Sequence, residues 1–300
     1  MRPILVLDFD GTLTDAEQEG PPFVEGYLKN LDTLIGAPAS DTSAAAAEKR
    51  ARVRAIAADA AQAAIDAPAT HGYLWKGKLV APASVDPYLR MVPMAHAVLD
   101  AFEAIKDPLD RSRVMDLLFY PNYQLTIDHP VFRPEAKALI AALAPHQDRV
   151  YVVTNSGTSH VQAKIARLAD GDPQIGWLRD HVRGNAQKFE VDEAWALPGA
   201  APTLTLPGLA RPVLTQRRFY YERLQAVVAA HGATFADLIV VGDIFELDLA
   251  MPLSLGARVG LRRNPLTPQY ELDYLQGQRE KARVFDDLSA LPAWAFGDGA

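Results

Sequence analysis

The chain reads as an α/β protein, a doubly wound parallel-sheet core interrupted by an inserted, mainly helical domain. Three observations predict that class. Short, almost continuously apolar runs end in polar or acidic residues, as strands covered on both faces do. Helical segments alternate with these runs. Well over a hundred Ala- and Pro-rich residues of helical pattern separate the first run from the second. With 300 residues and an apolar fraction of 49%, there is enough chain for a core and a smaller second domain.

The first strand, Ile4-Leu5-Val6-Leu7, empties into Asp8-Phe9-Asp10-Gly11-Thr12-Leu13-Thr14-Asp15. Residues two apart on a strand share a side, but a turn at Gly11 lets each carboxylate take its own direction. Chemistry that needs a nucleophile and a separate proton donor at one centre can use such an arrangement. Residues 16–130 are too long for a loop and are read as the inserted domain. Within them Ser43 to Ile65 carries Val53, Ile56, Ala60 and Ala64 at helical spacing. Pro87 to Ile105 carries Leu89, Val92, Ala95, Val98, Leu99 and Phe102, with Pro93 expected to bend or break that helix.

The core, residues 1–15 and 131–300, resumes with a helix over Pro134 to Leu143, Pro134 suiting its first turn. A strand over Arg149 to Thr154 follows, then a weaker one over His181 to Ala186. Phe189 to Gln216 is irregular, a hairpin or a loop. A helix from Phe219 to Ala230 ends before Gly232, where a left-handed cap is expected. Strands over Leu238 to Asp243 and Ala257 to Arg263 complete the sheet, and Phe296 to Ala300 reads as a loose tail.

Composition excludes several function classes. Net charge is −7 with no block of basic residues, which argues against a nucleic-acid surface. The absence of cysteine removes disulfides, thiolate nucleophiles and cysteine-bound metals. No stretch approaches the ~20 apolar residues of a membrane span, and Asp8 and Asp10 interrupt the only candidate signal peptide. The expectation is a soluble, cytoplasmic protein with a small-molecule partner; no feature speaks to oligomeric state. The seven histidines form no H-x-x-x-H pair, and G-x-S-x-G, G-x-G-x-x-G and P-loop patterns are absent.

Two further motifs close strands. Val152-Val153-Thr154-Asn155-Ser156 places a hydroxyl where a strand stops, the position at which parallel sheets gather ligands. Such a hydroxyl, with nearby backbone N–H groups, can hold a phosphoryl oxygen. Val240-Val241-Gly242-Asp243-Ile244-Phe245-Glu246-Leu247-Asp248 turns at Gly242 and lets Asp243 and Asp248 face a common cation. Magnesium takes hard oxygen ligands and retains several waters, so one or two carboxylates from each strand suffice. Glu246 is read as facing solvent or supporting the site from behind.

These three motifs, in this order, resemble those of the haloacid dehalogenase-like superfamily over residues 1–15 and 131–290; the inserted segment has no specific match. The resemblance implies that Asp8 attacks phosphorus and that Asp10 is general acid and base. It implies a phosphoryl cradle of Gly11, Thr12, Thr154 and Asn155, and Mg²⁺ held by Asp8, the Asp10 backbone carbonyl, Asp243 and Asp248. The family also needs a fixed cation: Arg218 occupies the usual offset, but Lys188, a compact ammonium after a strand-like run, is preferred. The implied activity is a Mg²⁺-dependent phosphatase acting on a small phosphorylated metabolite through an aspartyl-phosphate. A phosphomutase or phosphotransferase would use the same acids, and a non-catalytic binding protein of this fold is the rival from another class. Dehalogenating relatives lack an acid at the Asp10 position. The insert would be a cap selecting the leaving group, with Tyr73, Trp75, Lys76, Lys78 and Arg90 available to do so.

Overall fold

The computed structural model describes residues 2–297. Its strands are β1 (Ile4–Leu7), β2 (Gly72–Trp75), β3 (Lys78–Pro82), β4 (Val150–Val153), β5 (Val182–Arg183), β6 (Thr203–Leu204), β7 (Val213–Leu214), β8 (Leu238–Gly242), β9 (Arg258–Arg262) and β10 (Ala282–Phe285). Six of them form one sheet in the order β10-β9-β8-β1-β4-β5, every neighbouring pair parallel. Helices flank the sheet, and all four residues of β1 and all five of β8 are buried. That double covering is why these strands are apolar at every position instead of alternating.

β1 lies between β8 and β4, with Leu7 opposite Val241 on one side and Val152 on the other. The three chain segments that leave these strands, at Asp8, Thr154 and Asp243, therefore emerge side by side at one rim. Leu5, Leu7, Val150, Val152, Ile239 and Val241 share a core cluster with Ile140, Ile165, Leu178 and Leu291.

Several expected elements differ in extent. The segment His181 to Ala186 contributes only the two residues of β5, because His181 still belongs to a 3₁₀ turn. The helix expected from Pro134 begins at Ala136, with Pro134 in the preceding turn. Gly232 takes the left-handed conformation at φ +58°. The irregular insert closes as the short antiparallel β6–β7 pair. β10 was not anticipated. Of the residues expected to form a tail, Phe296 ends the helix Leu291–Phe296 and stacks on His146, while 298–300 lie outside the described residues.

The chain divides into two compact units, residues 1–15 with 130–300 and residues 16–129. In the second unit the helices Pro21–Leu34, Ala44–Asp66, Pro87–Ala101 and Pro108–Ile127 bury Phe23, Tyr27, Leu31, Val53, Tyr88, Met91, Val98 and Leu99. Ser43 caps the second helix by accepting from the Ala46 N–H. The third continues through Pro93: the buried side chains of Met91, Met94, Ala95, Val98 and Leu99 on both sides of it offset the lost backbone bond. A β2–β3 hairpin turns at Lys76 and Gly77, both at positive φ. Arg90 is buried and tied to Glu17 and to the carbonyls of Ala83 and Ser84, so its charge supports this unit's own loop. In the first unit, Asp15 N donates to Val131 O at 2.7 Å, and Thr14 bridges Phe132.

Candidate active site

Asp8 extends the β1 ladder by one bond, donating its N–H to Val241 O at 2.8 Å. Its carboxylate is then gripped from two directions. Lys188 Nζ lies 2.6 Å from Oδ1, and Thr12 Oγ1 donates toward Oδ2 at 3.2 Å while standing 3.5 Å from Asp243 Oδ1. Asp8, Asp243 and Asp248 each present a carboxylate oxygen within 4.8 Å of the others, and all three residues are buried. Burial pushes the Asp8 carboxyl up to about 7, against the lowering pull of Lys188 and with a further rise from Asp248.

Lys188 is 1% exposed and bridges Asp8 and Asp248, the latter at 2.8 Å. Desolvation alone would lower its pKa, but Asp248 and Asp8 outweigh it and hold the ammonium above its ordinary value. The backbone is placed as firmly. Lys188 N donates to Asn155 Oδ1 at 2.7 Å, and Lys188 O accepts from Arg217 at 2.5 Å. Asp248 is delivered by a π-helical turn over Phe245–Leu249, closed by Ala250 N–H on Phe245 O. Its Oδ2 accepts from Ile244 N at 3.1 Å, and its carbonyl accepts from the Tyr220 hydroxyl at 2.9 Å. Extra-residue turns of this kind recur where a side chain must be re-aimed at a site.

A family model for haloacid dehalogenase-like hydrolases matches residues 3–256. The chain belongs to that family. No curated protein matches it. Similar solved structures include a predicted phosphoglycolate phosphatase from Haemophilus somnus (15% identity, 97% of this chain and 96% of that one, TM-score 0.49). Others are a haloacid dehalogenase-like hydrolase from Streptococcus pneumoniae (14%, 98% and 98%, TM-score 0.49) and a dehalogenase (15%, 99% and 98%, TM-score 0.43).

In this hydrolase the rim brings together Asp8, Thr12, Lys188, Asp243 and Asp248. The Asp10 side chain takes a direction of its own. Its carboxylate is outside the acidic group of Asp8, Asp243 and Asp248; Oδ1 accepts from Lys164 Nζ at 3.2 Å and Oδ2 from the Ser156 hydroxyl. Thr154 is buried at the end of β4, and its hydroxyl accepts from Ser156 N at 3.2 Å. Asn155 is engaged in fixing Lys188. Arg218 is not brought to the site: half exposed, it pairs with Glu222 at 2.9 Å and faces Asp192 at 3.9 Å. Its neighbour Arg217 is the buried one, its guanidinium pushed down to about 10 by desolvation. Glu246 does not face solvent. It is fully buried, held by both terminal nitrogens of Arg211 at 2.7 and 2.8 Å and by the Tyr270 hydroxyl.

Sequence reasoning missed Lys164, Arg217 and the Arg211–Glu246 fork. One signal was present: Lys164 falls on the apolar stripe of Val161, Ile165 and Leu168, where a charge is out of place. The fork joins residues 35 apart, from the irregular insert to the turn after β8, and no local pattern encodes it.

Gly11 is required at its place. It sits at φ +82°, and a Cβ there would lie 2.1 Å from Asp243 Oδ2. Gly11→Ala combines left-handed strain with displacement of that carboxylate, for an expected loss of about 1–3 kcal/mol in urea unfolding together with lost hydrolytic turnover. A variant matching wild type in both would show that the turn tolerates a side chain.

Proposed function

We propose that this hydrolase cleaves a small phosphomonoester through an aspartyl-phosphate on Asp8, with Mg²⁺ as its cation. The observation that carries the reading is the Asp8 carboxylate, held by Lys188 and Thr12 beside Asp243 and Asp248 at the rim of the sheet. Immobilising an oxygen nucleophile in line with a bound electrophile removes much of the entropic barrier to attack. Lys188 both fixes that carboxylate and offers positive charge to the incoming phosphoryl oxygens.

The acidic group fits a hard divalent ion. Three buried carboxylates supply an all-oxygen donor set, and the missing side chain at Gly11 lets the turn close against Asp243. Asp8, Asp243 and the Asp10 backbone carbonyl would hold the ion, with Asp248 engaged by Lys188. When bound, such an ion screens the negative charge that otherwise repels the nucleophile from the ester.

Asp10 would give a proton to the departing alcohol and later take one from water. A halide leaves carbon as a stable anion and needs no donor, so an acid at this position supports an ester substrate over a halogenated one. Transfer to a second alcohol instead of water would begin with the same half-reaction.

The test is a panel of phosphorylated metabolites and p-nitrophenyl phosphate with the purified protein. Phosphate release is expected with Mg²⁺, is expected to stop in excess EDTA, and should return when Mg²⁺ is restored. Equal release in EDTA would remove the metal from the reading. Folded protein that liberates phosphate from none of the esters would remove the phosphatase. Phosphate appearing on a second sugar instead of in solution would make the enzyme a mutase.

A further inference from the structure

Lys164 is the buried cation that the reaction outlined above leaves without a task. It projects from the helix Thr158–Ala169 among Val161, Ile165 and Ala169 and is 0% exposed. A lysine on a helix ordinarily reaches solvent. Burying its ammonium costs several kcal/mol unless a partner compensates. Here the partner is Asp10 Oδ1 at 3.2 Å, with the ring of Phe9 5.9 Å away on the other side. The second oxygen of Asp10 accepts from Ser156, which precedes the same helix. Asp10 is thus held at both oxygens by one segment, the chain that follows β4.

The two acids of the first motif are separated by this division of partners. Asp8 belongs to Lys188 and Thr12, Asp10 to Lys164 and Ser156. We propose that Lys164, assisted by Ser156, is a positioning residue that holds the Asp10 side chain for proton transfer to the leaving group; the proposal rests on the phosphatase reading above. As the bond from Asp8 oxygen to phosphorus forms, the phosphorus–oxygen bond to the alcohol breaks. The electron pair stays on the alcohol oxygen, which takes the proton of Asp10. Lys164 does not touch substrate; it acts through the orientation of Asp10.

Leaving-group dependence separates this role from simple support of the fold. Phenolate needs a proton to leave readily, whereas 2,4-dinitrophenolate does not, and the two aryl esters have similar shape. The measurement is kcat/KM in Mg²⁺ buffer, which reports transfer to Asp8 and not the later hydrolysis. Lys164→Met is expected to lower kcat/KM for phenyl phosphate by ~10²-fold, and for 2,4-dinitrophenyl phosphate by less than about threefold. Ser156→Ala should show the same asymmetry at smaller amplitude, and it serves alone if Lys164→Met does not fold. In an Asp10→Asn background Lys164→Met should add less than about twofold, because the group it orients is gone.

Equal losses on both esters, or full additivity with Asp10→Asn, would overturn the assignment while leaving the phosphatase intact. Wild-type protein inert toward both esters would instead overturn the phosphatase reading, and this role with it.

Discussion

Asp8→Asn is expected to slow phosphate release from p-nitrophenyl phosphate by at least ~10⁴-fold, the scale on which removal of a nucleophile acts, while leaving the fold intact. The amide keeps the shape of the carboxylate and an oxygen for Lys188, which retains Asp248 at 2.8 Å. It has no anionic oxygen with which to attack. Stability should not fall, because burial is the largest influence on the Asp8 carboxyl and disfavours its charged form. Equal urea midpoints with turnover gone would locate the chemistry at this atom. Retention of more than a few per cent of the activity would refute the assignment of Asp8 as nucleophile.

Lys188→Met carries the largest expected effect on stability. The substitution leaves Asp8 and Asp248, with oxygens within 4.8 Å of one another, buried without the ammonium between them. Breaking a buried pair from one side typically costs about 3–5 kcal/mol, measurable as a lowered urea midpoint in EDTA. Part of the loss should return on acidification. In the folded protein the Asp8 carboxyl already titrates near 7, raised chiefly by burial, and loss of Lys188 removes the influence that lowers it. A group raised on folding binds its proton more tightly in the folded state. The stability it contributes is therefore present in acid and lost as pH rises through the folded value. Lowering the pH from about 8 to about 5 should then narrow the gap to wild type. A gap that stays constant across that range would place the cost elsewhere, in packing against Tyr220, whose ring is 5.3 Å from Nζ. Activity should be lost with stability, since the same cation fixes the nucleophile.

The strands that lead to the site were legible because burial on both faces makes them apolar at every position and their ends are abruptly polar or acidic. Ile4–Leu7, Val150–Val153 and Leu238–Gly242 show this. β10 was not legible: Ala282-Arg283-Val284-Phe285 is an edge strand with an exposed arginine, and it lacks both signals. The β2–β3 hairpin hid in a Lys76-Gly77 turn, whose positive φ values do not announce themselves as Asn-Gly would.

Legibility at the site followed range. Asp8 and Thr12 are close in sequence, and motif spacing sufficed for Asp243 and Asp248. The choice between Lys188 and Arg218 depended on which basic residue the insert would turn inward, and that is set by contacts such as Asn155 to Lys188 and Arg217 to its carbonyl. The partners of Asp10 come from residues 146 and 154 positions away. Such pairings follow from topology, which the chain reveals only when strand order is known.

The staple at the edge of the first unit bears on how this chain tolerates change. Asp15 N–H meets Val131 O at 2.7 Å and Arg133 N–H meets Leu13 O at 2.9 Å, so the backbone departs and returns at a single pinned junction. Closing a longer excursion between fixed ends is inexpensive, about 0.6 kcal/mol for each doubling of its length. Growth or shrinkage of the detour through residues 16–129 thus hardly taxes the tether, and the spacing of the acids just before it is insulated from whatever the detour becomes.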